Sequence, residues 1–206
     1  MATTTNHGEP TIIEDTRDVL EGIISRDGRS TGGILLGLTR LSLGWTFLWA
    51  FLDKVFGLGF DTCRAEDGGI DVMCDSAFLA GGSSTWGFLS FGTQGSKTGD
   101  WVSWLATSGP GDIGIVDFLY LGALLIAGVS FTLGIAMRLG ALAGAGLMVS
   151  IYIASSVWPQ FNPFMDEHII YALAMAALAA VGAGRYLGLG QWWAKQPLAA
   201  RSWLLR

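Results

Sequence analysis

Four long apolar stretches separated by polar segments dominate the chain. They cover residues 33–56, 115–137, 139–158 and 168–187. Each has about the 20 residues that a helix needs to cross a hydrocarbon core of ~30 Å. Arg138 is the only charge between the second and third stretches, which predicts a tight hairpin. The fold class expected is therefore an all-α integral membrane protein. Its membrane domain, residues 33–195, is a four-transmembrane-helix bundle with a long loop over 57–114 and a short cytoplasmic tail over 196–206.

The small residues predict how the helices meet. Ala172, Ala176, Ala180 and Gly184 recur every four positions in the last stretch, and Gly140 and Gly144 do so in the third. Such seams let backbones approach closely where lipid removes the hydrophobic driving force. Residues 1–32 are polar and acidic, but Ile12, Ile13, Val19, Leu20, Ile23 and Ile24 recur at helical spacing. They predict a short amphipathic helix. In the loop, the aromatic-rich segments around Trp86, Trp101 and Trp104 are too short to span. They predict short interfacial helices.

Charge adds direction. Arg17, Arg26, Arg29, Arg138, Arg185, Lys195, Arg201 and Arg206 fall on one side if four helices alternate, against Arg64 and Lys97 in the long loop. The positive-inside rule then puts both termini in the cytoplasm of a bacterial plasma membrane and the loop outside. Trp158 falls at the outer boundary, with Trp192 and Trp193 at the inner one. Of the chain, 51% is hydrophobic and 14% charged, with a net charge of −5 and no basic stripe, which argues against a nucleic-acid partner. Two cysteines and two histidines cannot make a four-ligand zinc site of the Cys/His kind from any local motif. No haem-attachment or nucleotide-binding motif occurs.

Few residues remain for chemistry. Cys63 and Cys74 share the loop, and outside a membrane nearby thiols oxidise. Their spacing is not C-x-x-C, so a structural staple is the simpler reading, though the pair is the only redox-active group that the sequence supplies. Arg40 lies inside the first stretch, where a charge is costly. It either snorkels to the inner surface or pairs within the bundle. Helical spacing sets Arg40, Gly44, Phe47, Phe51 and Lys54 on one face. At the opposite boundary Asp53, Lys54, Asn162, Asp166, His168 and Tyr171 come to one level. Asn162-Pro163 signals a turn, and Asp166 is placed to cap the last helix. This cluster is either a set of caps and ion pairs or a polar pocket for a quinone head group or a small anion. His168 is suited there to proton exchange.

Three segments carry a resemblance: LTRLSLGWTFLWAFLDKVFGLGF, LGIAMRLGALAG and NPFMDEHIIYALAMAALAAVGAGRYLGLGQWW. Together they resemble the DoxX-like family of four-helix membrane proteins, in particular the actinobacterial type related to DoxD. The resemblance spans most of residues 33–195 and is weak in the loop. DoxD pairs with the small subunit DoxA in thiosulfate:quinone oxidoreductase. The resemblance thus implies oxidation of thiosulfate to tetrathionate with electrons passed to quinone. Thiosulfate would bind near Lys54, Arg64 or Lys97, and quinone would enter toward Arg40 or His168. The competing expectation is a non-catalytic accessory subunit of a larger respiratory or stress-defence complex. A solute channel fits less well, because seams of alanine and glycine leave little room for a pore.

Overall fold

A computed structural model describes residues 31–159 and 162–205. The amphipathic helix expected within 1–32 lies outside them. The described chain is mostly helical and forms no strand, only an isolated bridge between Arg64 and Ile70. Four long helices carry the fold: α1, Thr31–Phe56; α2, Ile115–Leu133; α3, Met137–Ile151; and α4, Glu167–Ala180. Past Ile151, α3 widens into a π-helical turn, Tyr152–Ser156. Three segments, Thr31–Phe56, Ile115–Leu133 and Met137–Ser156, are long and apolar enough to cross a membrane.

The polarity of the fold is inverted relative to a soluble domain. Leu35, Leu119 and Leu142 are about 60% exposed, at 59%, 67% and 62%. Arg40, Asp53 and Asp117 are buried. An apolar exterior around a partly charged interior fits a membrane protein whose helices face lipid.

The helices pack in chain order, α1 on α2, α2 on α3 and α3 on α4, while α1 and α4 barely meet. The α1–α2 contact is backbone to backbone. A Cβ on Gly44 would lie 2.4 Å from the Thr132 nitrogen, and one on Gly128 would lie 2.7 Å from the Leu48 Cα. Of the α1 face set by spacing, Arg40, Gly44 and Phe47 are buried, Phe51 is half-buried, and Lys54 turns to Asp61. The α3 seam is also found: Gly140 sits against Ser130 and Gly144 against Met175 and Ala127.

The predicted α4 seam is not the one used. Ala172 is buried, but Ala176 and Ala180 are exposed. The packed face is Ala172, Met175 and Leu178, a spacing of three that suits a helix with one close neighbour. Nor is 168–187 one helix. α4 has 14 residues and ends at Ala180, because Gly182 takes a left-handed conformation at φ 65°. The following turn, Ala183–Arg185, tucks beneath the α2–α3 hairpin, and Gly184 touches the Gly134 carbonyl directly. The hairpin itself breaks at 134–136, before Arg138, since Gly134 at φ 74° ends α2. Residues 190–205 fold back as short helical turns, and Arg138 donates to the Trp203 carbonyl at 3.1 Å.

Arg40 closes this end of the fold. It is fully buried, and its guanidinium donates to the carbonyls of Phe131, Thr132 (3.0 Å), Tyr186 (3.3 Å) and Leu187 (3.0 Å). The first two are last-turn carbonyls of α2, which have no partner within their helix and carry the negative end of its dipole. The last two belong to the chain beyond α4. Arg40 thus joins three parts of the chain through groups that every residue possesses. Of the two expected fates, snorkelling is set aside: Arg40 has internal acceptors.

Two substitutions test this packing. Arg40→Ala should cost about 3 kcal/mol, the scale of losing charge-assisted hydrogen bonds and leaving buried carbonyls bare. Gly44→Ala should cost about 2 kcal/mol by overpacking against the backbone of α2. Reversible unfolding in mixed micelles measures both. A change within error for Arg40→Ala would rule out the clasp.

Candidate functional site

Two buried carboxylates organise the opposite end. Asp53, in the last turn of α1, is 2% exposed and accepts the N–H groups of Phe60 (3.1 Å), Asp61 (3.0 Å) and Thr62 (2.9 Å). The chain leaving α1 is thereby curled over the helix end. Lys54 pairs with Asp61 on the surface of that curl. The second carboxylate, Asp117, is fully buried in the first turn of α2. It accepts from the Ser83 hydroxyl (2.9 Å), from the N–H and hydroxyl of Thr85 (both 2.9 Å) and from the Gly114 N–H (2.8 Å). The middle of the long loop is thus fixed onto the start of α2.

Between these anchors the loop arches over a cavity of about 1390 Å³. Its floor is apolar, made by Tyr120 and Ala123 of α2 and by Leu147, Ile151 and Ala154 of α3 and its π-helical turn. Loop residues Trp86, Phe88 and Leu89 form another wall. The Thr98 hydroxyl donates to the Ile153 carbonyl, which lies in the π-helical turn. Such turns leave carbonyls in need of outside donors and recur beside functional sites.

The polar rim is formed by Lys54, Arg64, His168 and the bonded pair Cys63–Cys74, whose Cα atoms are 5.6 Å apart. His168 sits in the first turn of α4, behind Asp166. One Asp166 oxygen caps the helix, accepting the N–H groups of His168 (3.1 Å) and Ile169 (3.3 Å), and the other meets His168 Nδ1 at 2.8 Å. A carboxylate on Nδ1 selects the tautomer protonated there and leaves Nε2 as the proton-accepting nitrogen. Among the described residues Nε2 has no hydrogen-bond partner. Burial pushes the Asp166 carboxyl up, but the hydrogen bond from His168, the Ile169 N–H, the charge of His168 and a Ser156 hydroxyl together hold it below its ordinary value.

The residues expected to matter thus separate. Lys54, Arg64, His168, Cys63 and Cys74 share the cavity, with Asp166 orienting His168. Asp53 shapes the rim with its oxygens committed to peptide groups. Asn162 accepts the N–H groups of Phe164 and Met165 and forms a turn. Tyr171 is 39% exposed and lines no part of the cavity. Arg40 also lies apart from it, in the clasp at the hairpin end. Asp117, Tyr120 and Ser83–Thr85 were not anticipated. Asp117 did carry a signal, since an acid three residues after Gly114 at the head of an apolar run is placed to reach back to the N-cap N–H, the acid half of a capping box. Among the described residues no group of Cys, His, Asp and Glu is arranged to hold a metal.

No protein-family model matches the chain, and no solved structure matches it.

The Asp166 geometry carries a pH signature. Its folded carboxyl is more acidic than in the unfolded chain. The stability it contributes is therefore complete above about pH 4, the ordinary carboxylate value, and is lost as pH falls through the lower folded value. Asp166→Asn should flatten this acid limb of thermal stability in detergent. An unchanged limb would show that the cap is not what acid removes.

Proposed function

We propose that the chain is the membrane subunit of a respiratory oxidoreductase, and that the loop-end cavity takes up a quinone reduced at the expense of thiosulfate. One observation carries this reading: a single cavity joins an apolar floor to a rim bearing His168, Lys54 and Arg64. A quinone needs apolar room for its ring and tail, and hydrogen-bonding groups for its oxygens. The floor supplies the first. His168 Nε2 and the Ser84 hydroxyl, which is buried and without a partner among the described residues, supply the second. Arg64 suits a small dianion approaching from water, and Lys54 would join it on leaving Asp61. In the overall reaction two thiosulfate ions lose one electron each and join as tetrathionate, and quinone takes both electrons and two protons. His168, held by Asp166, would relay those protons.

The resemblance to DoxD in the end helices and the hairpin supports the same reading, and with it membership of the DoxX-like family. Four crossings of the bacterial plasma membrane complete it, with both termini cytoplasmic. Arg138, Arg185, Lys195 and Arg201 at the hairpin end support that orientation. The α4 crossing would be finished by the chain beyond Ala180.

A second reading is a non-catalytic accessory subunit of a larger respiratory or oxidative-stress complex. It is favoured by the exposure of Trp101 and Trp104, 79% and 75%, on the loop, and by the commitment of both terminal nitrogens of Arg40, and of Asp53 and Asp117, to internal partners. Gentle purification followed by an assay of thiosulfate-dependent quinone reduction separates the two. On the catalytic reading, His168→Ala lowers kcat by roughly a hundredfold, the usual worth of a positioned acid–base group, without altering the elution profile. An inactive preparation carrying a partner in fixed ratio would transfer the assignment to the accessory role.

A further inference from the structure

The cavity contains more than a binding surface, because Cys63 and Cys74 both line it, together with His168. A disulfide that serves only as a staple can lie anywhere in its loop. This one borders the same space as the only histidine among the described residues.

Three features set it apart from a passive cross-link. First, the loop that it closes has its own hydrogen bonds. The Asp71 N–H donates to the Cys63 carbonyl (3.2 Å), the Met73 N–H to the Phe56 carbonyl (3.1 Å) and the Ala65 N–H to the Gly69 carbonyl (2.9 Å). With Asp53 holding residues 60–62, the loop has restraints that survive reduction. Second, the backbone is strained at both ends of the bridge. Cys63 itself has φ 67° and Met73, beside Cys74, has φ 64°, a left-handed conformation unfavourable for residues with side chains. Gly57, at φ 62°, leaves no room for a Cβ, which would lie 2.3 Å from the Cys63 sulfur. Strained, accessible disulfides are the more readily reduced. Third, Arg64 adjoins Cys63 on the rim, and a neighbouring cation favours thiolate over thiol; Lys54 is engaged with Asp61, and Asp71 also lines the space.

We propose that Cys63–Cys74 is a redox relay, reduced by a sulfur donor from the aqueous side and reoxidised by quinone in the cavity. The proposal rests on the reading of the cavity as a quinone site. In the first half, a thiolate donor from the aqueous side attacks a sulfur of the bridge, breaking the S–S bond and forming a mixed disulfide while the other cysteine leaves as thiolate. A second donor thiolate attacks the donor's sulfur in the mixed disulfide, releasing the donor as its own disulfide and the second cysteine as thiolate. In the second half, the two cysteines lose two electrons and re-form their bond. Those electrons pass to quinone with two protons, for which His168 Nε2 is the carrier. No metal is needed for the electrons to cross.

The experiment uses the full-length protein in detergent, reduced with a phosphine that is then removed without air. A short-chain ubiquinone substituted at every ring position is added, since it cannot capture thiols by addition. After acid quenching, maleimide–polyethylene glycol labels the remaining thiols, and quinone binding is measured separately by equilibrium dialysis. The relay predicts loss of both thiols with formation of one quinol per protein. His168→Ala should slow that loss roughly tenfold or more, and Cys63→Ser/Cys74→Ser should form no quinol. Thiols that persist while quinone is bound would overturn the relay and leave the quinone site standing. Absence of bound quinone would overturn both. Collapse of the elution profile on reduction alone would identify a staple and overturn the relay.

Discussion

A guanidinium enclosed in protein needs acceptors, and at Arg40 both terminal nitrogens find them in peptide carbonyls. This choice constrains much of the fold. The carbonyls of Phe131 and Thr132 are open because α2 stops at Gly134, and α2 stops there because glycine allows the left-handed turn. Those of Tyr186 and Leu187 are in reach because α4 ends early and the chain doubles back under the hairpin. Extending either helix by a turn would remove the acceptors. The glycine contact between α1 and α2 follows from the same geometry, since a wider separation would pull the arginine from its carbonyls.

The loop end uses the same chemistry with the sign reversed. Asp53 and Asp117 are stabilised by N–H and hydroxyl groups of nearby turns. All three buried charges are thus answered by dipoles fixed in loops and helix ends. Each converts a burial cost into a constraint on where a segment can go. The loop is pinned at two points and remains arched between them, which leaves the space that His168 and the disulfide border. Rigid supports around an open volume are what a site needs to hold a ligand in one geometry.

Much of this was legible in the sequence, and the misses have definite causes. Apolar runs mark where helices begin, because hydropathy records the cost of leaving backbone and charge in lipid. They do not mark where helices end inside a run, since Gly182 and Gly134 are as apolar as their neighbours. The buried face of α1 could be read because it carries two unusual residues, Arg40 and Gly44. That of α4 was misread because alanine suits a packed seam and an exposed face equally well. Asp166 was recognisable as a cap from local sequence alone. The partners of Arg40 left no trace, since a carbonyl belongs to every residue. The cavity was equally hidden, because it depends on which turn of the loop Asp117 holds, and no local pattern specifies Ser83 and Thr85 as its partners.

The chain positions of the clasp also bear on how the molecule is made. Arg40 is translated first, its α2 acceptors follow 91 residues later, and its last acceptor comes 147 residues after it. During synthesis α1 therefore carries a charge whose partners have yet to leave the ribosome. The first helix cannot settle by itself, and the clasp locks only once residues 186 and 187 have been made. A chain cut short before residue 186 would retain the three segments long and apolar enough to cross a membrane and still lack the closing half of the clasp. The fold thus ties a side chain of the first helix to segments made much later.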